Sequence, residues 1–139
     1  DEPTTALDVT IQAQILKLLS DIKKRGKSII LITHNLGIVR QYADFVSIMY
    51  MGRIVEEAET NTLFKHPKHP YTKDLLAALP TVKGKKLENI KGAPSPITKP
   101  VSGCPYHPRC KYTIEICCNK KFSLNRQKDT SKVACRLWE

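Results

Sequence analysis

The chain has 139 residues, enough for one domain or two small ones. No apolar run approaches the length of a membrane span, the longest of the kind being Ile29-Ile30-Leu31-Ile32. The net charge of +10 is unevenly placed: residues 1–82 carry ten Lys/Arg and nine Asp/Glu, and residues 83–139 carry thirteen and four. A near-neutral first part thus precedes a basic tail, which suits nucleic acid, an anionic membrane surface, an acidic partner or plain solvated surface. The tail lacks the aromatic interleaving of a single-strand binder and matches none of the standard DNA-reading helices, so nucleic acid is not expected as a partner.

The chain opens on Asp1-Glu2-Pro3-Thr4-Thr5-Ala6-Leu7-Asp8, a polar turn with two adjacent acids and a third six residues later. Ile11, Ile15, Leu18, Leu19 and Ile22 follow at helical spacing and predict a helix over 9–25, stopped by Gly26, with this face packed into a core. Ser28 to Thr33 is a continuous, β-branched apolar run that predicts a strand buried on both faces, as in a parallel sheet. His34 then emerges at the carboxyl end of that strand, where open α/β sheets bind their ligands. The order acid pair, turn, helix, strand, histidine suits nucleotide hydrolysis: one carboxylate holds magnesium through water, and the next orients or deprotonates the attacking water. Asp8 alternatively serves as a plain helix cap.

These eight residues, with Thr33-His34, closely resemble the ABC-transporter ATPase subunits. The resemblance implies that Asp1 binds Mg2+ through water, that Glu2 is the general base for ATP hydrolysis, that Asp8 signals across an ATPase dimer and that His34 contacts the γ-phosphate. No Gly-rich phosphate loop occurs in the sequence, and the chain starts in mid-motif. It is therefore expected to be the C-terminal part of a longer protein, and to be inactive by itself.

Residues 36–43 suit a short helix, and Phe45 to Tyr50 and Arg53 to Glu57, flanking Met51-Gly52, read as a hairpin. Glu59 to Lys65 and Thr72 to Leu79 predict two further helices, the second ended by Pro80. His69-Pro70-Tyr71-Thr72, followed by Leu75-Leu76-Ala77-Ala78-Leu79-Pro80, resembles the extension of oligopeptide and dipeptide importer ATPases. A metal role for His66 and His69 is not assigned, because no acid or thiol stands beside them in the sequence. Residues 83–103, with four lysines before Pro94 and then Pro96 and Pro100, read as a linker.

All five cysteines lie near the end, at Cys104, Cys110, Cys117, Cys118 and Cys135. For a protein facing the cytosol, where thiols stay reduced, metal binding is favoured over disulfides, and four thiolates suit a [4Fe–4S] cluster or a structural Zn2+. Gly103-Cys104-Pro105-Tyr106-His107-Pro108-Arg109-Cys110, then Cys117, then Val133-Ala134-Cys135, resembles the C-terminal module of the peptide-importer ATPases, some of which are described as carrying a [4Fe–4S] cluster. The resemblance implies that Cys104, Cys110, Cys117 and Cys135 are the ligands and that Cys118 is extra. Tyr106 stands where the family usually has Phe.

The expected fold is α/β: the C-terminal half of a P-loop NTPase core over 1–58, a helical extension over 59–82, the linker over 83–103 and a small irregular cysteine module over 104–139. The resemblance implies an ATPase that drives import of peptides, or of related solutes such as nickel chelates or oligosaccharides. It would lie peripherally at the cytoplasmic face of the membrane, paired with a second ATPase subunit and with permease subunits, and a solute-binding protein would act indirectly. A soluble ABC ATPase acting on nucleic acid and a regulatory metal-binding module are the alternatives.

Overall fold

The computed structural model describes residues 1–79, 90, 92–96, 98–99 and 101–139. They form two compact units, residues 1–44 and residues 45–139. Pro80, most of the expected linker, and with it Lys83, Lys85 and Lys86 of the basic tail, lie outside the described residues.

In the first unit, helix α1 (Val9–Lys24) starts where the Asp8 carboxylate accepts from the backbone N–H groups of Thr10 and Ile11, both at 2.9 Å. Two of the N–H groups that a helix start leaves without partners are thereby satisfied. The helix ends at Arg25, and Gly26 follows at φ +79°, a left-handed stop. Its buried side chain is Leu16. The predicted apolar face is only partly packed, with Ile11, Leu18 and Ile22 exposed at 39, 59 and 43%. The unit's other helix, α2 (Leu36–Tyr42), is short and cannot cover a stripe of four turns.

The expected strand over 28–33 is not formed. The segment pairs with no neighbouring strand among the described residues, and Ile30 is 91% exposed. A strand needs a lateral neighbour to take its N–H and C=O groups, and what reaches this one from the opening turn is a hydrogen bond from the Glu2 N–H to the Ile32 carbonyl, 2.8 Å. The buried parallel sheet is therefore absent among the described residues.

The second unit is built on a hairpin. Strand β1 (Phe45–Tyr50) alternates strictly between exposed and buried side chains. Met51 and Gly52 follow at φ +48° and +72°, the two left-handed residues of a tight hairpin turn, and lead into β2 (Arg53–Glu59). The pairing register slips between Ile48 and Met49: Met49 faces Ile54 and Ile48 faces Glu56. Val55 is thus the extra residue of a β-bulge, which is why Val55 and Glu56, consecutive in the strand, are both buried.

After helices α3 (Thr60–Lys65) and α4 (Pro70–Ala77), the chain passes through a short turn at His107–Arg109 and helix α5 (Glu115–Asn119) to two brief strands, β3 (Asn125–Arg126) and β4 (Lys132–Val133). β4 pairs antiparallel with β2, giving one sheet in the order β1-β2-β4-β3. The Ala134 N–H donates to the carbonyl of bulge residue Val55 at 2.9 Å. Val46, Ile48, Val55, Ala58, Leu63 and Val133 form the apolar core. The cysteine region is part of the hairpin's own sheet and core, and the structure's division falls at residue 44. No helix among the described residues is long and apolar enough to cross a membrane.

Candidate functional site

In the first unit the opening acids fold into a strained turn. Glu2 and Ala6 take φ values of +36° and +63°, a conformation that costs about 1 kcal/mol or more for a residue with a side chain. The turn is closed by hydrogen bonds from the Thr5 N–H to the Glu2 carbonyl and from the Leu7 N–H to the Thr4 carbonyl, 3.2 and 3.4 Å. The strain leaves the Glu2 carboxylate held at both oxygens: Thr5 Oγ1 donates to Oε2 and His34 Nδ1 stands against Oε1, each at 2.8 Å. The His34 contact first, and the Thr5 hydroxyl second, hold the Glu2 carboxyl below its ordinary range. Glu2 and His34, 32 positions apart in sequence, are thus brought together. Asp1 is exposed next to Glu2, and the Asp8 carboxylate is occupied in capping α1.

In the second unit the four cysteines Cys104, Cys110, Cys117 and Cys135 line one cavity, together with His69, Tyr106 and Arg136 among others. Cys118 is not among its lining residues. The cavity is held by buried polar contacts. Glu56, turned inward by the bulge and 1% exposed, accepts from the backbone N–H groups of Lys68 and His69, both at 2.8 Å. Those two charge-assisted bonds fix the loop ahead of α4 and contribute about 1.5–3 kcal/mol each. His69 Nδ1 accepts from the Tyr71 N–H at 3.1 Å and so caps α4. Lys68 binds Asp129 and Ser131, and Trp138 Nε1 donates to the Lys68 carbonyl at 3.1 Å, tying the chain's end to the same loop. Tyr106, fully buried, packs against Tyr50 and Tyr71 at ring distances of 5.2 and 5.3 Å and donates to Asp74 Oδ2 at 2.6 Å.

The module's entry is close-packed. Gly103 has φ +70°, and a Cβ there would lie 2.3 Å from the Cys117 carbonyl oxygen. Glycine is what lets the Cys104 N–H reach that carbonyl at 2.9 Å. Burial pushes the Cys104 thiol up to about 11, with Cys135, Cys110 and Cys117 adding to the effect as neighbouring charges. Burial likewise raises Cys110 and Cys135.

Three buried side-chain atoms among the described residues have no hydrogen-bond partner: His69 Nε2, Thr72 Oγ1 and Arg136 Nε. His69 and Arg136 line the cysteine cavity. Because His69 Nδ1 accepts, its Nε2 carries the proton, so both of these atoms are N–H donors. No three His, Cys, Asp or Glu side chains among the described residues converge closely enough to hold one metal ion.

Residues 55–117 match the family described as oligopeptide/dipeptide transporter, C-terminal region. That span begins at the bulge and includes the Glu56-held loop, His69-Pro70-Tyr71-Thr72 and three of the four cavity cysteines. Over its whole length the chain is 48% identical to the oligopeptide transport ATP-binding protein AppD of Bacillus subtilis and 42% identical to the dipeptide transport ATP-binding protein DppD of Caldanaerobacter subterraneus, covering 43 and 44% of them. Over 84% of its length it is 50% identical to DppD of Haemophilus influenzae, covering 36% of that protein. The chain thus spans less than half the length of the curated relatives it matches.

Sequence reasoning did not assign Thr5, which shares the Glu2 carboxylate, or His69 and Arg136. His69 lies in the His69-Pro70-Tyr71 segment, within the matched span. Its neighbours in space are thiols that lie 35 or more positions away in the chain.

Proposed function

We propose that the protein containing this chain hydrolyses ATP to drive peptide import, a reading supported by relatives named as ATP-binding proteins of oligopeptide and dipeptide transport. Glu2 is the general base that takes the proton of the attacking water, and His34 contacts the γ-phosphate. Asp1, an exposed hard oxygen donor beside Glu2, is the residue that would hold Mg2+ through water. Asp8 acts across the dimer of ATPase subunits. The partners are that second ATPase subunit and the membrane permeases, with the ATPase peripheral at the cytoplasmic face.

The observation that carries this reading is the Glu2–His34 pair at 2.8 Å. The contact places the carboxylate and the imidazole side by side and commits His34 Nδ1, leaving Nε2 for a phosphate oxygen. In the full-length protein Glu2→Gln is expected to lower turnover by about 10²–10⁴ with ATP binding retained. His34→Ala is expected to slow hydrolysis as well. Turnover at the parent rate in Glu2→Gln would remove Glu2 from the role of base.

In the second unit the four cysteines are proposed to hold a [4Fe–4S] cluster. Support comes from the chemistry of the cavity. Thiolates are the ligands such clusters take, and Cys104, Cys110, Cys117 and Cys135, which line the cavity together, would hold it. Two buried N–H donors without partners, His69 Nε2 and Arg136 Nε, line the same cavity and suit an anionic, sulfur-rich occupant. When bound, the cluster supplies cohesion to a module with little apolar core of its own. Iron and sulfide in a four-to-four ratio after anaerobic purification is the expected result. Protein free of both, with Cys104, Cys110, Cys117 and Cys135 open to thiol reagents, would refute it.

A further inference from the structure

A buried N–H without an acceptor costs about 1–3 kcal/mol, and native proteins keep few of them. The second unit buries two of these donors at one place. His69 is 1% exposed, its ring fixed by the Tyr71 N–H on Nδ1, and its Nε2–H has no partner. The Arg136 Nε–H has none either, and Arg136 directly follows Cys135. Both residues line the cavity of Cys104, Cys110, Cys117 and Cys135. Their positions are secured from separate directions. The Glu56 carboxylate holds the His69 backbone, while Arg136 opens the short turn Arg136–Trp138, whose Trp138 indole donates to the Lys68 carbonyl.

We propose that His69 Nε2–H and Arg136 Nε–H donate hydrogen bonds to sulfur of the group held by the four cysteines, and thereby set its reduction potential. The inference rests on the cluster reading above. Hydrogen bonds to the sulfurs of a cluster stabilise its more negative, reduced form and raise its potential. His69 and Arg136 are thus positioning and tuning residues, and they ligate no metal. The H-P-Y segment is joined by this contact to a module whose nearest cavity cysteine lies 35 positions further on.

The test uses the full-length protein reconstituted with ferrous iron and sulfide. His69→Asn keeps an oxygen to cap the Tyr71 N–H and removes the distal donor. His69→Gln places an amide N–H near the lost Nε2. Arg136→Lys keeps the charge and removes the Nε–H. Expected is a fall in reduction potential in His69→Asn and in Arg136→Lys, each shifting the oxidised-to-reduced ratio about tenfold, or about 59 mV for a one-electron couple. His69→Gln should stay near the parent value. If clusters of unchanged iron and sulfide content show the parent potential in both His69→Asn and Arg136→Lys, the donor role is overturned and the cluster reading stands. If the parent protein takes up neither iron nor sulfide, the cluster reading fails and the donor role falls with it. Should His69→Asn not load, a parent-like potential in Arg136→Lys together with a lowered one in His69→Gln overturns the proposal, and the reverse pattern supports it.

Discussion

Replacing Glu56 with Gln isolates the contact on which the second unit's loop depends. The side chain is 1% exposed and accepts two backbone N–H groups, from Lys68 and His69, both at 2.8 Å. Gln keeps the volume and one oxygen, so one amide retains a neutral acceptor, and the other meets an NH2 group. One charge-assisted bond is lost, about 1.5–3 kcal/mol, and a buried donor is left facing another, about 1–3 kcal/mol. Part of the second cost is relieved as the loop shifts, so a loss of about 2–4 kcal/mol is expected. With a urea dependence of roughly 2 kcal/mol per molar, the unfolding midpoint of the cooperative transition that includes this unit should fall by about 1–2 M. Hydrogen exchange read by NMR should show the Lys68 and His69 amides losing protection first, because these are the groups released. A midpoint within about 0.2 M of the parent, with both amides still protected, would mean that Glu56 is not what holds this loop.

Gly103→Ala should destabilise the cysteine module by about 2–4 kcal/mol, since a Cβ at φ +70° would meet the Cys117 carbonyl oxygen at 2.3 Å; thermal unfolding of the parent and variant checks this. Tyr106→Phe removes the hydroxyl that donates to Asp74 at 2.6 Å and should cost about 1–3 kcal/mol in a denaturant titration, with a parent-like midpoint counting against that bond. Asp129 is held down to about 2 by its hydrogen bonds to Lys68 and Ser131. A lowered carboxylate pKa stabilises the fold above its unfolded value of 3.8, and the gain disappears as pH falls from there towards 2. Asp129→Asn should therefore lower stability by about 1 kcal/mol at neutral pH, Asp129 itself being well exposed, and the gap between variant and parent should close below pH 3. A gap that persists at pH 2 would contradict the assignment.

What the linear order of residues determined about this protein is what depends on neighbours in the chain. Asp8 capping α1, Gly26 ending it, the turn at Met51-Gly52 and the alternation of β1 are all set within a few positions, by backbone conformation and by donors and acceptors that are already adjacent. Glu2 and His34 were grouped by their order in the chain, and the fold brings the two side chains to 2.8 Å. Burial was not legible, because it depends on what lies against a segment. Ser28 to Thr33 has the composition of a central strand, yet composition cannot supply the lateral strand that would make it one. The bulge at Val55 was equally hidden: one extra residue against β1 turns the charged Glu56 inward, and the slip is defined only by the partner strand. The cysteine region read as a separate module because it is remote in sequence, whereas pairing of β4 with β2 makes it part of the hairpin's sheet. His69 shows the same limit at the site itself. Along the chain it has no thiol beside it. Only the tertiary fold, closing segments 35 to 66 positions apart onto one cavity, brings its buried N–H to the cysteines.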